Sequence, residues 1–147
     1  MSSNQIQSFV DGQMDATVTW QGASEILKMN QSVFVSDQGN SVSIQGWALF
    51  HEDHAYFVVD IWLPKDQLNL PKHELGQGES APAGAYLGST KIPRSGYAKN
   101  GQIHDVEWDP ASGLFKASFE FVVDTDQPDE TKVSGSVVVN NLNDSLA

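Results

Sequence analysis

The four histidines are the first residues whose type and placing could do chemistry. His51 and His54 flank a polar break, His73 precedes Glu74, and His104 precedes Asp105. Imidazole and carboxylate are the ligands zinc takes when thiolate is missing, and the chain has no cysteine. A zinc site would need three such groups to converge at about 2.0–2.2 Å from one point. The three-residue spacing of His51 and His54 aligns side chains on a helix or tight turn and opposes them on a strand. No helical period surrounds them, so scattered surface or interface imidazoles are the plainer account of the pattern. Asp124, Asp126, Asp129 and Glu130 offer the hard oxygens calcium requires, without the glycine and the closing glutamate of a helix-loop-helix calcium loop. A solvated acidic turn is the plainer account of that stretch.

Asp60 is the second candidate, because it interrupts the otherwise apolar run from Ala55 to Leu63. A carboxylate buried there would need a partner or would have its pKa raised. By strand parity Asp60 shares a face with Tyr56 and Trp62, and Trp47 lies opposite the Val42 and Ile44 face of its own run. If those faces are one surface, they make an aromatic patch with Gln45 and Asp60 beside it, suited to sugar rings or to a protein surface. In a sandwich, a second sheet would cover such a face instead. Tyr97 sits among Lys91, Arg94 and Lys99, the one basic cluster, which could meet an acidic face of the same chain or of another copy. Asp105 and Glu107 share a parity and could split their pKa values, but paired carboxylates at this spacing also mark a wet strand face. No serine sits in a Gly-x-Ser-x-Gly elbow, and no glycine-rich loop is followed by the lysine of a phosphate cradle.

The elements that must carry these residues are strands. Ala16, Val18 and Trp20 alternate with threonines, and 32–50 has the form of a hairpin turning at Asp37–Asn40. Ala55–Leu63 is apolar on both parities, as a central strand covered on both sides would be. Gln102–Trp108 and Leu114–Val123, joined at Asp109–Gly113, form the clearest hairpin, because Phe115, Ala117, Phe119, Phe121 and Val123 alternate with polar residues. Lys132–Asn140 closes the pattern. Ser24–Met29 is too short to assign. Between 64 and 101 come Pro64, Pro71, Pro82, Pro93 and several glycines, which read as a long loop-rich segment with one strand near Ala85–Ile92. The ends, 1–14 and 141–147, read as frayed.

These observations predict one all-β domain over 1–147: an antiparallel β-sandwich, or alternatively a small β-barrel, with a long irregular segment in the middle of the chain. Its net charge of −11 repels phosphate backbones and anionic lipid heads, which disfavours nucleic acid and membrane as partners. No basic, then apolar, leader is visible, so the cytoplasm is the default compartment. The first functional expectation is a non-catalytic binding or assembly module without a cofactor, recognising a glycan or protein surface. Its ligand-binding residues would be Trp47, Tyr56, Asp60, Trp62, Arg94 and Tyr97, with the 64–101 segment carrying recognition. The alternatives are a metal-dependent enzyme or a zinc- or calcium-binding protein using His51, His54, His73 and His104, and a structural homo-oligomer subunit.

Overall fold

The computed structural model describes residues 6–9, 11–30, 32–50, 55–90, 95–123 and 130–146. Its strands are β1 (Ile6–Phe9), β2 (Gly12–Trp20), β3 (Ala23–Met29), β4 (Val33–Asp37), β5 (Ser41–Phe50), β6 (Ala55–Pro64), β7 (His73–Glu74), β8 (Gly84–Ser89), β9 (Gly96–Asp109), β10 (Leu114–Val123) and β11 (Lys132–Val139). Short 3-10 turns occupy Lys65–Gln67 and Leu142–Ser145.

Every strand pair is antiparallel, and the order is β1-β4-β5-β6-β8-β9-β10-β11-β2-β3, with β7 added to β9. The sheet folds over so that β3 packs near β5 and β2 near β4, leaving it nearly closed. The all-β antiparallel expectation holds, and the barrel alternative is the closer description, because one sheet is continuous throughout. The turn-over runs through β9, which pairs with β8 at its start and with β10 along the rest. Two register shifts against β10 bend it, one spanning Lys116 to Ser118 and one at Val122 to Val123. Asp105, at φ +52°, lies in the first, as a residue bulged out of a ladder does.

The core lies on the inside of this curl. On β10, Phe115, Ala117, Phe119, Phe121 and Val123 are buried while Lys116 and Glu120 are exposed. A strict two-residue period puts one face of the strand in the interior, and each large apolar side chain fully buried there contributes about 1.5–3 kcal/mol. Phe57, Ile61 and Leu63 from β6 and Met14, Leu27 and Met29 from β2 and β3 complete the interior from other directions. Gly46 on β5 marks where the two halves meet, since a Cβ there would come within 2.8 Å of the Met14 sulfur and 2.9 Å of the Met29 sulfur.

The structure departs from the sequence expectation in two places, Ser24–Met29 and the chain ends. Ser24–Met29 lies within a strand, β3, with Leu27 and Met29 buried and Ile26 and Lys28 exposed. The adjacent apolar pair Ile26-Leu27 hid that period. The strand expected near Ala85–Ile92 in the 64–101 segment is β8, Gly84–Ser89, and it lies inside the sheet between β6 and β9. Gly84 and Gly88 act there as spacers: Gly84 faces Trp62 and Gly88 faces Val58 across the β6–β8 pair, and a Cβ on either would run into that neighbour. Finally, the chain ends take part in the fold, because β1 pairs with β4 and Leu142 and Ser145 are buried.

Candidate functional site

The convex face of β5, β6, β8 and β9 carries two adjacent rows of side chains. Gln45, Asp60, Tyr86 and Tyr97 are successive cross-strand partners, and Ser43, Trp62 and Gly84 form the row beside them. Alternation aims both rows away from the core. Among the described residues no second sheet lies over them; the segment around 79–82 does so instead. The Trp62 indole Nε1 donates to the Ala81 carbonyl at 2.8 Å, and the Tyr97 hydroxyl donates to Glu79 Oε2 at 3.4 Å. The backbone N–H of Gly76 closes the base of the segment onto the Ala83 carbonyl at 2.9 Å. Trp62 is thereby buried although it points outward.

Between this segment, the 38–41 turn and the 64–67 turn opens a cleft of about 1100 Å³. Its lining includes Ser43, Asp60, Trp62, Glu79 and Tyr97, with Asn40 and Gln67 at the rim. Tyr97 meets Trp62 edge-on at 6.1 Å between ring centroids, so these two rings wall the cleft, and Tyr86 packs against Tyr97 at 5.0 Å beside it. The rim turn is pinned from behind: Lys65 Nζ lies 2.6 Å from Asp37 Oδ2, the Gly39 N–H donates to Asp37 Oδ1 at 2.9 Å, and the Lys65 N–H donates to the Asn40 carbonyl at 2.9 Å.

Asp60 is the chemical centre of the face. Ser43 Oγ donates to its Oδ1 at 2.6 Å and Gln45 Nε2 to its Oδ2 at 3.3 Å, while Trp47 Nε1 donates to Gln45 Oε1 at 3.3 Å. A relay thus runs from Trp47 through Gln45 to the carboxylate. Burial pushes the Asp60 pKa up to about 6, against the opposing effect of the Ser43 and Gln45 hydrogen bonds. Tyr97 is held above its ordinary pKa by burial first, then by the Glu79 carboxylate, with smaller effects from Tyr86 and Asp60, so its hydroxyl stays protonated and able to donate.

Of the residues expected from the sequence, Asp60, Trp62 and Tyr97 line the cleft. Trp47 and Tyr56 stack at 5.5 Å on the same face but beyond the cleft. Arg94, His51 and His54 lie outside the described residues, as do 124–129 of the acidic stretch. His73 and His104 are not brought together. His73 is buried beside Ile103, its pKa lowered by desolvation, whereas His104 projects outward, with Nδ1 2.9 Å from Asp105 Oδ2 and Nε2 3.6 Å from Glu120 Oε1. Among the described residues no group of three or more histidine and carboxylate side chains is arranged to hold a metal ion. Also among them, no helix is long and apolar enough to cross a membrane.

Sequence reasoning missed Ser43, Glu79 and Tyr86. Ser43 shares a parity with Gln45 and was within reach of the pattern. Glu79 reaches the site only through a loop fold-back that leaves no local signature. The class of protein these features define is an all-β antiparallel domain with a polar, aromatic-walled cleft on its convex face. No protein-family model, curated protein or solved structure matches the chain.

Proposed function

We propose that this protein is a non-catalytic binding module that takes a carbohydrate in the cleft between the 38–41 turn, the 64–67 turn and the 79–82 segment. One observation carries it: the Asp60 carboxylate and the Trp62 and Tyr97 rings line one cleft together with the hydroxyl and amide side chains of Gln38, Asn40, Ser41, Ser43, Gln67 and Ser80. Sugars present apolar C–H faces to aromatic rings and hydroxyls to carboxylate and amide oxygens, and a concave site with a few fixed polar groups orients such a ligand. Asp60 suits hydroxyl recognition because Ser43 and Gln45 already fix its orientation, which reduces the entropy lost on binding. The 64–101 segment contributes Glu79, Ser80, Ala81, Pro82 and Tyr97, so recognition lies on the part of the chain richest in turns.

Titration calorimetry against a panel of neutral and charged oligosaccharides tests the proposal, with intrinsic tryptophan fluorescence as a second readout. We expect at least one neutral or amino-bearing saccharide to bind, and Tyr97→Ala to weaken that binding by about tenfold, the loss of one stacking ring, with little change in the thermal midpoint. A panel in which no saccharide moves either signal would refute it.

A further inference from the structure

Resting on the carbohydrate reading, we propose that the ligand is an amino sugar, whose free ammonium group is received by the Asp60 and Glu79 carboxylates against the Trp62 and Tyr97 rings.

The charges in the cleft carry the argument. Its lining holds three carboxylates, Asp60, Asp66 and Glu79, and one amine, Lys65. Lys65 is engaged by Asp37, which is almost fully buried behind the rim, and so does little to balance the three acids. Asp60 takes hydrogen bonds from Ser43 and Gln45, both neutral, and among the described residues no lysine or arginine pairs with it. A partly desolvated carboxylate held by neutral donors is a group whose missing complement is a cation. The rings supply the second half of such a seat. An ammonium over the face of tryptophan or tyrosine is attracted by the ring quadrupole, more strongly where water is excluded. Tyr97 links the two acids: it donates to Glu79, and its own ionisation is opposed by both Glu79 and Asp60. Uronic or sialic acids would meet like charge at all three carboxylates, and the chain's overall charge of −11 would steer cations toward it and anions away.

The probes are a tetrasaccharide of β-1,4-linked glucosamine, its fully N-acetylated form and tetralysine, titrated into the whole protein by calorimetry at neutral pH. A charge-assisted contact should make the free-amine sugar bind about tenfold or more tighter than the acetylated one. Asp60→Asn, which preserves shape and removes charge, should reduce that preference to about threefold or less, and added salt should weaken it as well. The acetylated form, or any neutral sugar of the panel, binding as tightly as the amine would overturn the ammonium seat and leave the carbohydrate reading standing. Tetralysine binding as tightly as the amino sugar would overturn it too, since charge alone would then suffice. An undiminished preference in Asp60→Asn would sink the assignment to this carboxylate. Binding of no saccharide at all would remove the parent reading along with it.

Discussion

Replacing Asp60 with asparagine should stabilise the folded protein in mild alkali and lose that advantage as the solution is acidified. In the unfolded chain this carboxyl titrates at its ordinary 3.8, and in the fold at about 6. Between those values the native state holds a proton that the unfolded state has released, so unfolding free energy falls as pH rises through the window. Below 3.8 both states are protonated and the stabilising difference is fully present; above about 6 both are ionised and it is gone. The displacement corresponds to about 3 kcal/mol at most, and the opening of the carboxylate toward the cleft makes about 1–3 kcal/mol the working figure. Asparagine carries no such proton. The gain in stability of Asp60→Asn over the parent should therefore be about 1–3 kcal/mol larger at about pH 8 than at about pH 4. Urea melts of both proteins at the two pH values, followed by tryptophan fluorescence, measure it, and subtraction cancels every other titrating group. The m-values should agree, because the surface exposed on unfolding is unchanged. A difference that stays flat with pH, or that grows toward acid, would refute the burial of this carboxylate.

Four further substitutions probe the scaffold. Gly84→Ala would drive a methyl group into the Trp62 ring; we expect about 1–3 kcal/mol of destabilisation from overpacking and a changed near-ultraviolet circular dichroism as the indole leaves the Ala81 carbonyl. Phe119→Ala removes a fully buried ring from β10, and denaturant melts should show a loss of about 3–5 kcal/mol. Trp62→Ala should cost about 3–5 kcal/mol in the same assay. Trp47→Ala, at a half-exposed position outside the cleft, should cost under about 2 kcal/mol; equal losses for the two tryptophans would contradict their placement.

Much of the architecture was written in alternation. Phe115 through Val123 and Val42 through Ile44 announce strands with one buried face, and the two-residue period of β6 is enough to put Tyr56, Asp60 and Trp62 on one side together. That much of the site follows from the chain alone, because the direction of a side chain from a strand depends only on its neighbours in sequence. Register does not. The pairings that join Gln45 to Asp60 and Asp60 to Tyr86, the fold-back that brings Glu79 to Tyr97, and the Asp37–Lys65 tie at the rim all link residues far apart in sequence. Gly84 and Gly88 show the same division: read locally they are chain breakers, and only the bulky Trp62 and Val58 across the ladder make them spacers in a central strand. Local patterning alone sets which faces are apolar and which residues could do chemistry. The tertiary structure decided which of them meet, because cross-strand contacts are chosen by packing the whole interior at once, a long-range cooperative effect that no local period encodes.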